Sequence, residues 1–145
     1  MLKEEQVVEK IRDHLISKGY IIKNAEKTNS EHGCDIITEV HSKSRKNYFI
    51  EVKGESGTAK SKHAVKHNAF WTLLGQILTK MDIEGNSINK GRIYAIAFPA
   101  EWEETFTRKI KNMAYGWKLL KLKVFLVSET EVVEKSYSHF LKNKS

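Results

Sequence analysis

Three residues in this chain could share one piece of chemistry: Asp35, Glu51 and Lys53. Glu51 and Lys53 sit two apart in the stretch Tyr48-Phe49-Ile50-Glu51-Val52-Lys53-Gly54-Glu55. Side chains alternate along a strand, so Tyr48, Ile50 and Val52 take one face and Phe49, Glu51 and Lys53 the other, with Glu51 and Lys53 roughly 6.6 Å apart along it. Upstream, Cys34-Asp35-Ile36-Ile37-Thr38 is a second apolar strand with one acid near its start. A hairpin of the two would bring Asp35 to Glu51 and Lys53. Two carboxylates can hold a hard divalent cation, Mg²⁺ or Mn²⁺, with the Val52 carbonyl as a further oxygen donor. Phosphodiester hydrolysis needs that cation, an in-line water, and a cationic group to orient the water or steady the developing charge. Lys53 is placed for the last role.

The elements around these residues follow from periodicity. Val7, Val8, Ile11 and Leu15 predict an amphipathic helix over 3–18, stopped by Gly19. Strands are expected at 20–25, 34–40 and 47–53, the last two joined by a basic turn. Residues 54–61 read as a loop able to close over a substrate. A long helix follows over about 62–82, with Phe70, Leu74, Ile77 and Met81 as its apolar stripe, widened by Leu73 and Leu78. The run Arg92 to Phe98 reads as a central strand buried on both faces, ended by Pro99. A helix over 101–114 and a strand over 121–127 complete the regular part. Residues 131–134 could add an edge strand, and 137–142 a terminal turn. The expected order is α-β-β-β-α-β-α-β, an α/β domain with a mixed sheet covered by helices on both faces.

The order and the motif together resemble the PD-(D/E)xK nuclease superfamily, the restriction-endonuclease-like fold. Asp35 followed by an apolar strand ending Glu51-Val52-Lys53 carries the likeness, which spans roughly residues 3–127. Ile50 to Gly54 is similar to the strand of resolvase-like and Mrr-like members. Cys34 stands where the family name has proline, a position at which that residue is often missing. The resemblance implies metal ligation by Asp35, Glu51 and the Val52 carbonyl, with Lys53 catalytic. Gln76, on the long helix, corresponds to a glutamine that some branches place beside the lysine. Glu9, on the first helix, resembles an acid that many members use as an extra metal or metal-water ligand, with Glu5 the competing choice. The activity implied is a Mg²⁺-dependent nuclease, with double-stranded DNA the expected substrate. A catalytically silent module that binds nucleic acid or a protein is the alternative. A homodimer and a protein partner supplying specificity both stay open.

Composition agrees with a polyanionic partner. The net charge is +7 and the pI about 9.4. Lys43, Arg45, Lys46, Lys60, Lys62 and Lys66 crowd the motif in sequence and are candidate phosphate contacts. His63 and His67 are spaced i,i+4 but lack a third zinc ligand, and Trp71, Trp102 and Trp117 read as core or interface residues. A chain of 145 residues fits one domain, 1–145. Cys34 is the only cysteine, so no internal disulfide can form. A charged N-terminus and no apolar run of about 20 residues predict a cytoplasmic protein with no membrane partner.

Overall fold

The computed structural model describes residues 2–23, 35–55, 62–83 and 91–142. Its elements are α1 (Glu4–Ser17), β1 (Ile36–Ile37), β2 (Asn47–Val52), α2 (Lys62–Ile83), β3 (Arg92–Pro99), α3 (Glu103–Lys111), α4 (Ala114–Leu120), β4 (Lys123–Val127) and β5 (Val132–Lys135). Short 3₁₀ turns cover Ala100–Trp102 and Tyr137–Leu141.

The five strands lie side by side in chain order. β1 and β2 are antiparallel, β2, β3 and β4 are parallel, and β5 closes the far edge antiparallel to β4. Both parallel steps move in the same direction across the sheet. Right-handed crossovers then require α2 and the α3–α4 pair to cover the same face. That face holds Phe49, Ile96, Phe98, Val124 and Leu126 with Phe70, Leu73, Ile77, Phe106, Ile110 and Trp117. The opposite face is left to α1, whose Val7, Ile11 and Leu15 pack on Ile50, Val52, Ala95, Ala97, Phe125 and Val127. The result is the three-layer α/β sandwich expected from the sequence. Among the described residues no helix is long and apolar enough to cross a membrane.

Four expectations are corrected. Among the described residues, the strand expected at 34–40 is confined to Ile36–Ile37, with Thr38 in an isolated bridge. Of the strand expected at 20–25, the described residues 20–23 make a single antiparallel bridge, Ile22 to Thr38. It is held by Lys23 N–H to the Ile37 carbonyl at 2.7 Å and Glu39 N–H to the Ile21 carbonyl at 2.9 Å. The helix expected over 101–114 begins as a 3₁₀ turn and stops at Lys111, and α4 follows as a separate helix. The break at Asn112–Met113 re-aims the chain so that the Trp117 indole N–H donates to the Tyr137 carbonyl at 2.9 Å. Lys121, in the left-handed region at φ 51°, ends α4. Finally, Leu78 does not widen the stripe of α2 but is 40 % exposed.

One polar link spans the α1 face. The Tyr48 hydroxyl donates to both carboxylate oxygens of Glu134 on β5, at 2.9 and 3.0 Å. Burial, and then the Glu134 carboxylate, push the phenol well above its ordinary range.

Candidate active site

The site forms at the carboxyl edge of the parallel strands, where open α/β sheets place their ligand crevices. The β1–β2 ladder pairs Ile36 with Ile50 and Ile37 with Phe49. Asp35 precedes β1 by one residue and so stands beside the end of β2 that carries Glu51 and Val52. Asp35 also replaces part of the ladder. Its Oδ2 accepts the main-chain N–H of Val52 at 2.8 Å, a donor that regular antiparallel pairing would give to the main chain of the neighbouring strand. Glu51 points to the α2 side, beside Ile96 of β3, and is 3 % exposed. A carboxylate so buried persists only where cations or donors compensate it.

Lys53 follows the last residue of β2. Its main-chain N–H continues the ladder to the Ala97 carbonyl at 3.0 Å. Its ammonium lies 3.7 Å from Glu4 Oε1, with the Lys53 side chain 29 % exposed. Glu4 opens α1, whose start is capped on itself and joined by two main-chain contacts to the exit of β2. Lys3 bridges Glu55 in parallel fashion, Glu55 N–H donates to the Leu2 carbonyl at 2.9 Å, and the Gln6 side chain accepts Lys3 N–H at 2.8 Å. Gly54 makes the approach possible. A Cβ there would stand 2.7 Å from both Glu4 Cα and the Lys3 carbonyl carbon. Burial raises the Glu4 carboxyl above its ordinary value. The facing Lys53 ammonium opposes that shift and the Asp35 carboxylate adds to it. The Glu4 carboxyl is thus electrostatically in touch with both Asp35 and Lys53.

Glu4 is the site residue that sequence reasoning overlooked. Its signal was its phase: Glu4 precedes the buried Val7, Ile11 and Leu15 at the same helical spacing. Glu9 lies about 7.5 Å further along α1 and ~140° around it, and is exposed. Glu5 is also exposed.

Other expected contributors are placed elsewhere. Gln76 is exposed on α2, about 21 Å along the axis from that helix's start at the carboxyl edge. The structure therefore does not set it beside Lys53. Lys43, Arg45 and Lys46 precede β2 and so lie at its opposite end, with Lys46 ~23 Å from Lys53 along the strand. Their nearness to the motif in sequence is not nearness in space. Lys62 opens α2 and Lys66 is half-buried on it. Lys60, Cys34 and the loop over 56–61 lie outside the described residues.

Among the described residues no three His, Cys, Asp or Glu side chains are grouped so as to hold a metal ion by themselves. The donors at this edge are carboxylate oxygens. Mg²⁺ commonly binds one or two carboxylates and takes its remaining positions from water and substrate phosphate. Asp35 and Glu51 fit that pattern in type and number.

No protein-family model matches the chain, and no curated protein matches it. Two solved structures are similar to it. One is an XisH family protein from Nostoc punctiforme, at 18 % identity over 90 % of this chain and 97 % of that one, with a TM-score of 0.49. The other is an fdxN element excision controlling factor protein from Anabaena variabilis, at 17 % identity over 92 % of this chain and 97 % of that one, with a TM-score of 0.48.

Proposed function

We propose that this chain is a metal-dependent nuclease of the PD-(D/E)xK superfamily that hydrolyses phosphodiester bonds in DNA. The observation that supports the reading is that Asp35 bonds the Val52 N–H between Glu51 and Lys53, while Lys53 pairs with Glu4 at the same end of β2. A bound Mg²⁺ would supply charge neutralisation on the scissile phosphate and a more acidic water. Asp35 and Glu51 would hold the ion, with the Val52 carbonyl as a third oxygen donor. The hydrogen bond from Val52 N–H fixes the direction of the Asp35 carboxylate and so its reach toward Glu51. Lys53 donates hydrogen bonds to the attacking water or the phosphate oxygen on which charge grows. Glu4 keeps the flexible lysine stem over the site and sets its aim. Gln76 and Glu9 have no part in this reading, since neither is placed at the edge.

The test is nicking of supercoiled plasmid with Mg²⁺ or Mn²⁺. Asp35→Asn, Glu51→Gln and Lys53→Met should each lower the rate by at least roughly 10²-fold. Equal nicking by wild type and Asp35→Asn removes the mechanism.

A second reading is favoured by one observation: Asp35 already serves as a strand cap for Val52. A nuclease-fold module that grips nucleic acid without cutting would keep Asp35 for that purpose. It predicts salt-sensitive DNA binding and no nicking with either ion.

A further inference from the structure

The net charge of the chain is not spread evenly. Residues 105–128 hold Arg108, Lys109, Lys111, Lys118, Lys121 and Lys123 and not one Asp or Glu, so this stretch carries +6 of the total +7. Five of the six cations fall on the last turn of α3, on α4 and at its end, while Lys123, in phase with Phe125 and Val127, faces the α1 side of the sheet. Lys123 is partly neutralised by Glu134 at 4.0 Å. Arg108, Lys111, Lys118 and Lys121 are exposed, and no acid among the described residues pairs with them.

Two aromatic rings are exposed within this field. Tyr115, 78 % exposed, stands on α4 one turn from Leu119, 65 % exposed, while Trp117 anchors the helix on its buried side. Trp71 on α2 is 54 % exposed, and the Lys109 ammonium lies 5.2 Å from its ring centre, tying that ring to the basic turn of α3. Ring contact with a cation marks a π-face open to electrostatic partners. Exposed large rings beside unneutralised cations are the two requirements for holding a strand whose bases are unpaired: cations for phosphates, rings for bases. Duplex DNA would satisfy the cations and leave the rings idle. A membrane surface would ask for a longer apolar helix face than the seven residues of α4 provide.

We infer that the α3–α4 surface, with Trp71 at its border, binds single-stranded nucleic acid, with Arg108, Lys111 and Lys118 on phosphates and Tyr115 stacked on a base. The inference rests on the proposed nuclease reading only for taking nucleic acid as the polyanion. It does not require cleavage.

The experiment is fluorescence anisotropy of the full chain with labelled oligo(dT) of 20 nucleotides, in EDTA so that no metal-dependent cutting occurs. Three further arms use a 20-base-pair duplex, vesicles of anionic lipid, and plasmid nicking with Mg²⁺. The variant Arg108→Gln/Lys111→Gln/Lys118→Gln should weaken oligo(dT) binding at least roughly tenfold and reduce the slope of log affinity against log salt by about 2. Tyr115→Ala should weaken it by roughly tenfold without changing that slope. A charge-matched control, Lys18→Gln/Lys23→Gln/Lys135→Gln, should keep most of the affinity. Circular-dichroism melts establish that each variant folds. Equal losses in the charge-matched control, no effect of Tyr115→Ala, tighter binding of duplex than of oligo(dT), or vesicle binding as the only activity that the triple variant loses would each overturn the inference. Absence of nicking by wild type, with oligo(dT) binding behaving as stated, sinks the nuclease reading and leaves this surface standing.

Discussion

The main-chain N–H of Val52 donates to Asp35 Oδ2 at 2.8 Å, so one carboxylate both caps a strand and faces the proposed metal edge. The two duties can be separated by substitution. Asp35→Asn keeps a side-chain oxygen for Val52. Asp35→Ala leaves that N–H without its acceptor, which costs about 1–3 kcal/mol. Urea unfolding should therefore show the alanine variant destabilised by that amount and the asparagine variant much less. Both should lose plasmid nicking. An asparagine variant that nicks like wild type would leave Asp35 with the structural duty alone.

Glu4 gives a pH prediction. Its carboxyl is raised by burial above the ordinary 4.5, so the folded chain holds this proton more tightly than the unfolded one. Its contribution to stability is then complete below 4.5 and is lost as pH rises through the raised folded value. Glu4→Gln removes this component. The melting temperature of the variant minus that of wild type should grow between pH 4 and pH 7. A difference that shrinks over the same interval would mean that the Lys53 ion pair outweighs burial at this position.

Gly54 admits the start of α1 to the exit of β2. Gly54→Ala would drive a methyl group into the main chain at Lys3 and Glu4, which must shift. A cost of about 1–3 kcal/mol is expected, of the size seen when a packed contact is overfilled. Nicking should fall by more than stability alone explains, because Glu4 moves with the helix start. Measurement of both quantities at a temperature well below the melting point separates them.

Tyr48→Phe removes both hydrogen bonds to the half-buried Glu134. A loss of about 1–3 kcal/mol is expected in denaturant unfolding, since a charged acceptor loses its donor. Combined with Glu134→Gln the losses should not add, because the two groups share one interaction. Strict additivity would place the Tyr48 effect in packing instead.

Where hydrophobic spacing was long and regular, the sequence and the structure agree. β3 was legible from an unbroken apolar run and α2 from its stripe, and the antiparallel pairing of β1 with β2 from the turn between them. What could not be read depended on contacts distant in sequence. The split between α3 and α4 hides inside a continuous apolar spacing, Phe106, Ile110, Met113 and Trp117, and is set by where Trp117 meets Tyr137. Glu4 was passed over because a first-turn acid looks like ordinary helix capping until Gly54 is seen against it. The turn lysines misled for the reverse reason. Residues adjacent along a strand are separated by its full length once the strand is extended.

The strand order carries one last implication. Because each strand lies beside the next in the chain, the molecule divides cleanly along its length. Glu4, Asp35, Glu51 and Lys53 all lie within the first 53 residues, whereas the basic stretch without an acid runs from 105 to 128. The proposed chemistry and the proposed grip therefore draw on separate stretches of chain. Either could be retuned by substitution, to cut differently or to hold a different strand, with the other left intact.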